Sequence, residues 1–181
     1  MSKTGGRCRS ELASGVRIGG ARRLDYVSMS DREAALPTRS NPLATEVYAL
    51  GTSRYSDVYG GLQPAATDTL HIFVVESSSR VSRSVEEIER LATELGRKFV
   101  VSRVAHTWQE LASMTPTIGE TRRLLDNAGI TPVAWGPDPA SNSILVRVLG
   151  NVDTARALFD EQFGSGWVTV EPWVGDLPRR L

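Results

Sequence analysis

The apolar positions of this chain fall into short β-branched runs separated by stretches of helical spacing. Leu70–Val75 (LHIFVV) and Ile144–Leu149 (ILVRVL) are dense in branched and aromatic residues and read as strands. Ahead of the first, Gly60–Gly61 and Pro64–Asp68 supply turn chemistry, which makes residues 59–75 a hairpin. Ser84 followed by Glu87 has the reciprocal spacing that satisfies free N–H groups at a helix start, and Ile88, Leu91 and Leu95 then recur at helical intervals up to Gly96. Phe99–Val104 follows as a strand. Thr107 with Glu110, and Thr117 with Glu120 after Pro116, predict two connecting helices, the second closed by Gly129. The order then repeats: strand Thr131–Trp135, turn Pro137–Asn142, strand Ile144–Leu149, helix Val152–Phe163 stopped by Gly164, and strand Trp167–Val170. Leu43–Tyr59 is a helix or an irregular lead-in that sets Tyr48, Tyr55 and Tyr59 against the first sheet.

This pattern predicts an α+β protein of two tandem ββαβ units, each a small antiparallel or mixed sheet covered by helices on one face. The expected divisions are a basic head at 1–41, a first unit with its lead-in at 42–105, connecting helices at 106–130, and a second unit with a polar tail at 131–181. Setting Leu95-Gly96 on Phe163-Gly164 aligns the closing strands FVVS and WVTV, with a longer loop, Glu76–Arg83, in the first unit. Strand alternation then assigns the faces. Leu70, Ile72 and Val74 face the helix, as do Ile144, Val146, Val148, Val168 and Val170. His71, Phe73, Val75, Phe99 and Val101 lie on the open face of the first sheet, and Leu145, Arg147, Leu149, Trp167 and Thr169 on that of the second. A three-stranded sheet with one helix is marginal alone, so the open faces need a cover. They pack on the other unit, the lead-in and the connecting helices, or they dock another protein.

Composition narrows the class without naming a reaction. With 40% apolar residues among 181, the chain has enough material for a core. Its formal charge is zero, from 21 basic and 21 acidic residues, which removes the long-range attraction of a general nucleic-acid or anionic-membrane binder. The charge is split: residues 1–41 hold eight Lys/Arg and four Asp/Glu, residues 42–181 hold thirteen and seventeen. The head reads as a solvated, unstructured arm with at most a helical turn at Asp31–Leu36; the alternative is a nucleic-acid contact. Cys8 is the sole cysteine, so no intrachain disulfide and no thiolate cluster is expected. No apolar run approaches the length of a membrane span or a secretory signal, so the protein reads as cytoplasmic; a start upstream bearing a signal would place it outside the cell.

The chemistry-bearing residues are sparse. His71 lies in a strand and His106 before a helix, and neither has a second His or Cys at metal-ligand spacing. Gly164-Ser165-Gly166-Trp167 is a helix stop rather than a nucleophile elbow. Glu86-Glu87 and Asp160-Glu161 are solvated helix faces, and Asp138 and Asn142 bond backbone locally at their turn. No catalytic residue, metal or cofactor is expected. Trp108, Trp135, Trp167 and Trp173 sit on different elements, as core and interface residues.

Three segments carry a family likeness: VSRVAHTWQEL (101–111), LLDNAGITPVAWGPDPASNSILVRV (124–148) and FGSGWVTVEP (163–172). They resemble the propeptide region of secreted bacterial chymotrypsin-like serine proteases of the alpha-lytic protease and streptogrisin type. His106, Thr107, Glu110, Leu111, Gly129, Ile130, Asp138, Asn142, Val146, Val148, Gly164, Val168 and Val170 occupy that family's turn and core positions, across about residues 59–172. Thr107 stands where the family has Ser, and neither a signal peptide nor a protease domain is read in the sequence. The resemblance implies a folding assistant or inhibitor that occupies a protease through its last sheet and the chain beyond, here in trans. Trp167, Thr169, Glu171 and Trp173 are the implied contacts, and Leu145, Arg147 and Leu149 extend them across the open face. A small enzyme or ligand-binding domain with a site between the two units is the alternative. Oligomeric state does not follow from the sequence.

Overall fold

The structure, a computed structural model, describes residues 41–65 and 69–175. The basic head with Cys8 and the Asp31–Leu36 turn, Ala66–Asp68 of the first hairpin turn, and the polar tail at 176–181 lie outside the described residues.

Helix α1, Pro42–Ser53, resolves the lead-in. Asn41 accepts a hydrogen bond from the Leu43 amide at 3.1 Å and Pro42 occupies the first turn, so the free amide ends are met by side-chain chemistry. Strands β1 (Tyr59–Pro64) and β2 (Thr69–Val75) form the hairpin, helix α2 (Val81–Glu94) crosses over, and β3 (Lys98–Val104) returns parallel to β2. Helices α3 (Trp108–Glu120) and α4 (Arg122–Asn127) connect to β4 (Thr131–Asp138), β5 (Ser143–Leu149), α5 (Val152–Phe163) and β6 (Val168–Pro172). The sheets have orders β1-β2-β3 and β4-β5-β6, each with one antiparallel and one parallel pairing. The chain is an α+β fold of two similar ββαβ units. Among the described residues no helix is long and apolar enough to cross a membrane.

Each unit has its own core. Leu43, Val47, Tyr55, Leu70, Ile72, Val74, Ile88 and Ala92 fill the first, between α1, α2 and the sheet. Leu111, Ile118, Leu125, Ile144, Val146, Val148, Ala155 and Phe159 fill the second. Helix α3 joins them, with Trp108 against the first core and Leu111 and Ile118 inside the second.

Several expectations are corrected. Helix α2 begins at Val81, and Ser84 is a buried residue within it rather than its cap. Thr117 does not open a helix: α3 runs through Pro116 to Glu120. The Trp135 indole donates to the Thr115 carbonyl at 3.2 Å, bracing the backbone beside the proline. Gly60–Gly61 is not a turn but part of β1, where the register shifts at a bulge. Phe99 and Val101 pair with Leu70 and Ile72 and pack on the first core, the face opposite to the one expected. The equivalent pair in the second unit is Ile144 with Val168, so Phe99 corresponds to Val168 and not to Trp167. A one-residue slip in a strand turns every side chain over.

Tyr59 is buried where α1 meets β1, with Tyr48 edge-on to its ring at 6.3 Å between centroids. Among the described residues its hydroxyl has no hydrogen-bond partner, and burial, with a smaller contribution from Tyr48, holds its pKa far above the ordinary phenol value. Above about pH 10 the unfolded chain releases a proton that the folded chain keeps. The contribution of Tyr59 to stability is therefore level below that pH and falls by about 1.4 kcal/mol per pH unit above it. Urea midpoints measured from pH 9 to 11 should show this loss, and Tyr59→Phe should flatten it; equal slopes for both proteins would refute the assignment.

Candidate functional site

The open face of the second sheet carries the residues expected to meet a partner. Leu145, Arg147 and Leu149 alternate along β5, opposite Thr169 and Glu171 of β6. Leu145 is 7% exposed, whereas Leu149 at the far end of the strand is 38% exposed. Arg147 and Glu171 form a surface ion pair at 3.3 Å, a contact of small energetic weight. The Thr169 hydroxyl bonds to Ser143 at 2.7 Å, and a chain of hydroxyls runs from there through Ser141 to the Asp138 carboxylate. The Trp173 amide continues the β5–β6 ladder to the Val148 carbonyl, which brings Trp173 level with Leu149.

Trp167 behaves differently from its neighbours. Its ring lies against the rim of the second core and stacks on His106 at 3.8 Å between centroids. The structure thus gathers Leu149, Thr169, Glu171 and Trp173 along one edge and face, and sets Trp167 at the junction of the units.

That junction is built by a residue whose reach is longer than expected. Asn142 does not bond its own turn. Its Oδ1 accepts from the Ala105 and His106 amides at 2.9 and 2.8 Å, and its Nδ2 donates to the His106 carbonyl at 2.8 Å. Its backbone sits at φ 49, a region that asparagine tolerates better than most residues. Immediately downstream, Thr107 and Glu110 form the reciprocal cap that starts α3. Asp138 does bond locally, accepting from the Ser141 amide at 3.0 Å. On the facing side, a Cβ on Gly61 would lie 2.6 Å from Pro139, so the β4–β5 turn rests directly on the backbone of β1. Gly61 has φ 119, which also favours glycine there. His106, Thr107, Glu110, Asp138 and Asn142 therefore form one structural knot between the units.

The remaining polar chemistry is dispersed. His71 Nε2 lies 2.7 Å from Ser102 Oγ, and its ring stacks on Phe73 on the open face of the first sheet. Among the described residues no three His, Cys, Asp or Glu side chains converge on a point. An open concavity of about 510 Å³ beside the junction includes Asp57 and Glu110. Both carboxylates are engaged, Asp57 by Arg80 and Ser78 and Glu110 by Thr107. Sequence reasoning missed the link from Asn142 to residues 105–106, because no local periodicity signals a contact between segments so far apart.

The outer edge of β6 follows from its ladder. The Ile144 amide bonds to the Trp167 carbonyl and the Trp173 amide to the Val148 carbonyl, so Trp167, Thr169, Glu171 and Trp173 direct their backbone groups at β5. Val168 and Val170 direct theirs outward, and Pro172 contributes a carbonyl but no amide. Compared with known proteins, the chain matches no family model, no curated protein and no solved structure.

Proposed function

We propose that this protein is a non-catalytic interaction module resembling a serine-protease propeptide, which binds a secreted chymotrypsin-like protease in trans as a folding assistant or inhibitor. The observation that carries the reading is the free edge of β6. It offers the outward amides of Val168 and Val170 beside Leu149 and Trp173. A partner strand added to such an edge gains main-chain hydrogen bonds, and the flanking side chains supply selectivity. The groups that catalysis would need have structural duties instead: His106 stacks on Trp167, Glu110 caps α3, and Asp138 ties its own turn.

The test is refolding and inhibition of a panel of secreted bacterial chymotrypsin-like proteases with the full chain added in trans. Inhibition or recovered refolding is expected, weakened at least tenfold by Val170→Pro, which removes an outward amide while leaving the bonds to β5 in place. Neither inhibition nor assisted refolding for any member at about 0.1 mM protein would overturn the reading.

A further inference from the structure

Each three-stranded sheet has two edges, and among the described residues those at β1 and β4 are blunted. Strand β1 has the Tyr59/Gly61 bulge and Pro64 and lies against α1 and α3. Strand β4 has Pro132, Pro137 and a bulge, and is flanked by α3 and α4. Strand β6, the edge proposed above to take a protease strand, is five residues long and offers the outward amides of Val168 and Val170 before Pro172. Bulges, prolines, covering helices and charged side chains are among the devices by which sheets avoid unwanted pairing.

Among the described residues strand β3 has no proline, bulge or covering helix, and only the charges of Lys98 and Arg103 guard its edge. Its seven residues, KFVVSRV, pair with β2 in unbroken register, without proline or bulge. Among the described residues, β2 is the one element that makes an extended contact with it. The Glu76 amide bonds to the Val104 carbonyl, which fixes the alternation: Lys98, Val100, Ser102 and Val104 direct their backbone groups at β2. Phe99, Val101 and Arg103 therefore aim three successive amides and carbonyls away from the sheet. Beside them Val100 is 46% exposed on the open face.

We infer that this edge pairs with a second copy of itself, antiparallel about a twofold axis through Val101, giving a continuous sheet of order β1-β2-β3-β3-β2-β1. The register is self-complementary. Centring on Val101 sets the outward groups of Phe99 against those of Arg103 in the other copy, and those of Val101 against their own equivalents. Val100 then faces Ser102 of the other copy in the closer, non-hydrogen-bonded pairing, which covers its exposed side chain. The charges agree with this direction. Antiparallel pairing sets Lys98 opposite Val104, whereas a parallel pairing would place lysine on lysine and arginine on arginine, which is unfavourable. The interface belongs to the first unit and is independent of the β6 edge.

Pairing through one strand buries little area, so the dimer is expected to be weak, with a dissociation constant of about 10–100 μM. Sedimentation of the full chain across that range should show mass rising from monomer to dimer. Val101→Pro removes the central outward amide but none of the bonds to β2, and should leave a folded monomer, whereas Val170→Pro should dimerise as the parent does. A second measurement does not depend on how well the proline variant folds. In a Cys8→Ser background, Val100→Cys and Ser102→Cys proteins should form a disulfide-linked dimer when mixed and oxidised, and much less when oxidised separately. A monomer throughout the range, or cross-linking that is equal in the mixture and in the separate proteins, would overturn the inference.

Discussion

Asn142→Ala should lower the melting temperature by about 10 °C. The amide of Asn142 makes three hydrogen bonds to the backbone of residues 105 and 106, and its removal leaves the exposed Ala105 N–H and the partly buried N–H and carbonyl of His106 without those partners. An orphaned group in such a place costs about 1–3 kcal/mol, and alanine is also disfavoured at positive φ. A total near 3 kcal/mol corresponds to the stated shift for a chain of this size. A series separates the contributions. Asn142→Asp keeps the acceptor for both amides and faces a carbonyl with a carboxylate, so it should fall between parent and alanine. Asn142→Gly loses the clamp while relaxing the backbone, so it should lie slightly above alanine. Because the clamp couples two separate cores, its loss should also broaden the melt towards two steps. An alanine variant that melts as sharply as the parent and within about 1 °C of it would show that the knot does not hold the units together.

The difference between what local signals reveal and what they hide is visible in particular elements. Strands β2 and β5, helix α5 and the Thr107 cap are legible because each rests on chemistry within a few residues. Ser84 and Glu87 carry the same kind of local signal and misplace the helix start, because Val81 and Ser84 continue the core-facing stripe of Ile88 and Ala92 and the Glu87 carboxylate is engaged by Arg54 and Tyr55. Pro116 suggests a boundary, yet Leu111 and Ile118 on either side of it are both buried and keep α3 continuous. The faces of β3 were hidden by linkers of unequal length: aligning the two units on Gly96 and Gly164 carries a one-residue error into the strand that follows. The face of β5 was legible, since Ile144, Val146 and Val148 are uniformly apolar whereas the opposite face carries Ser143 and Arg147. The knot at Asn142 was not, although its residues were visible as two separate short patterns.

Two helix glycines of similar appearance should respond to alanine with opposite signs. Gly51→Ala is expected to destabilise by about 3 kcal/mol, because a Cβ there would lie 2.5 Å from Cδ2 and 2.9 Å from Cδ1 of Tyr59. The ring is wedged directly on the helix backbone. Tyr59 cannot slide aside cheaply, since Leu43, Val47 and Val58 are packed in the same core and are almost fully buried. The new methyl must push the ring outward or part α1 from β1, and either change opens the first core. Gly119→Ala meets only Trp135 Cζ2, at 3.7 Å, which is ordinary contact. It should stabilise by about 0.5–1 kcal/mol, as alanine restricts the unfolded chain and suits a helix interior. Urea unfolding of both variants gives the two signs directly. Shrinking the ring should rescue the first variant: Gly51→Ala combined with Tyr59→Leu should be less damaging than the sum of the two changes, by about 1–3 kcal/mol. Strict additivity in that cycle, or a neutral Gly51→Ala, would mean that the close seating of Tyr59 on α1 does not anchor the lead-in helix to the first sheet.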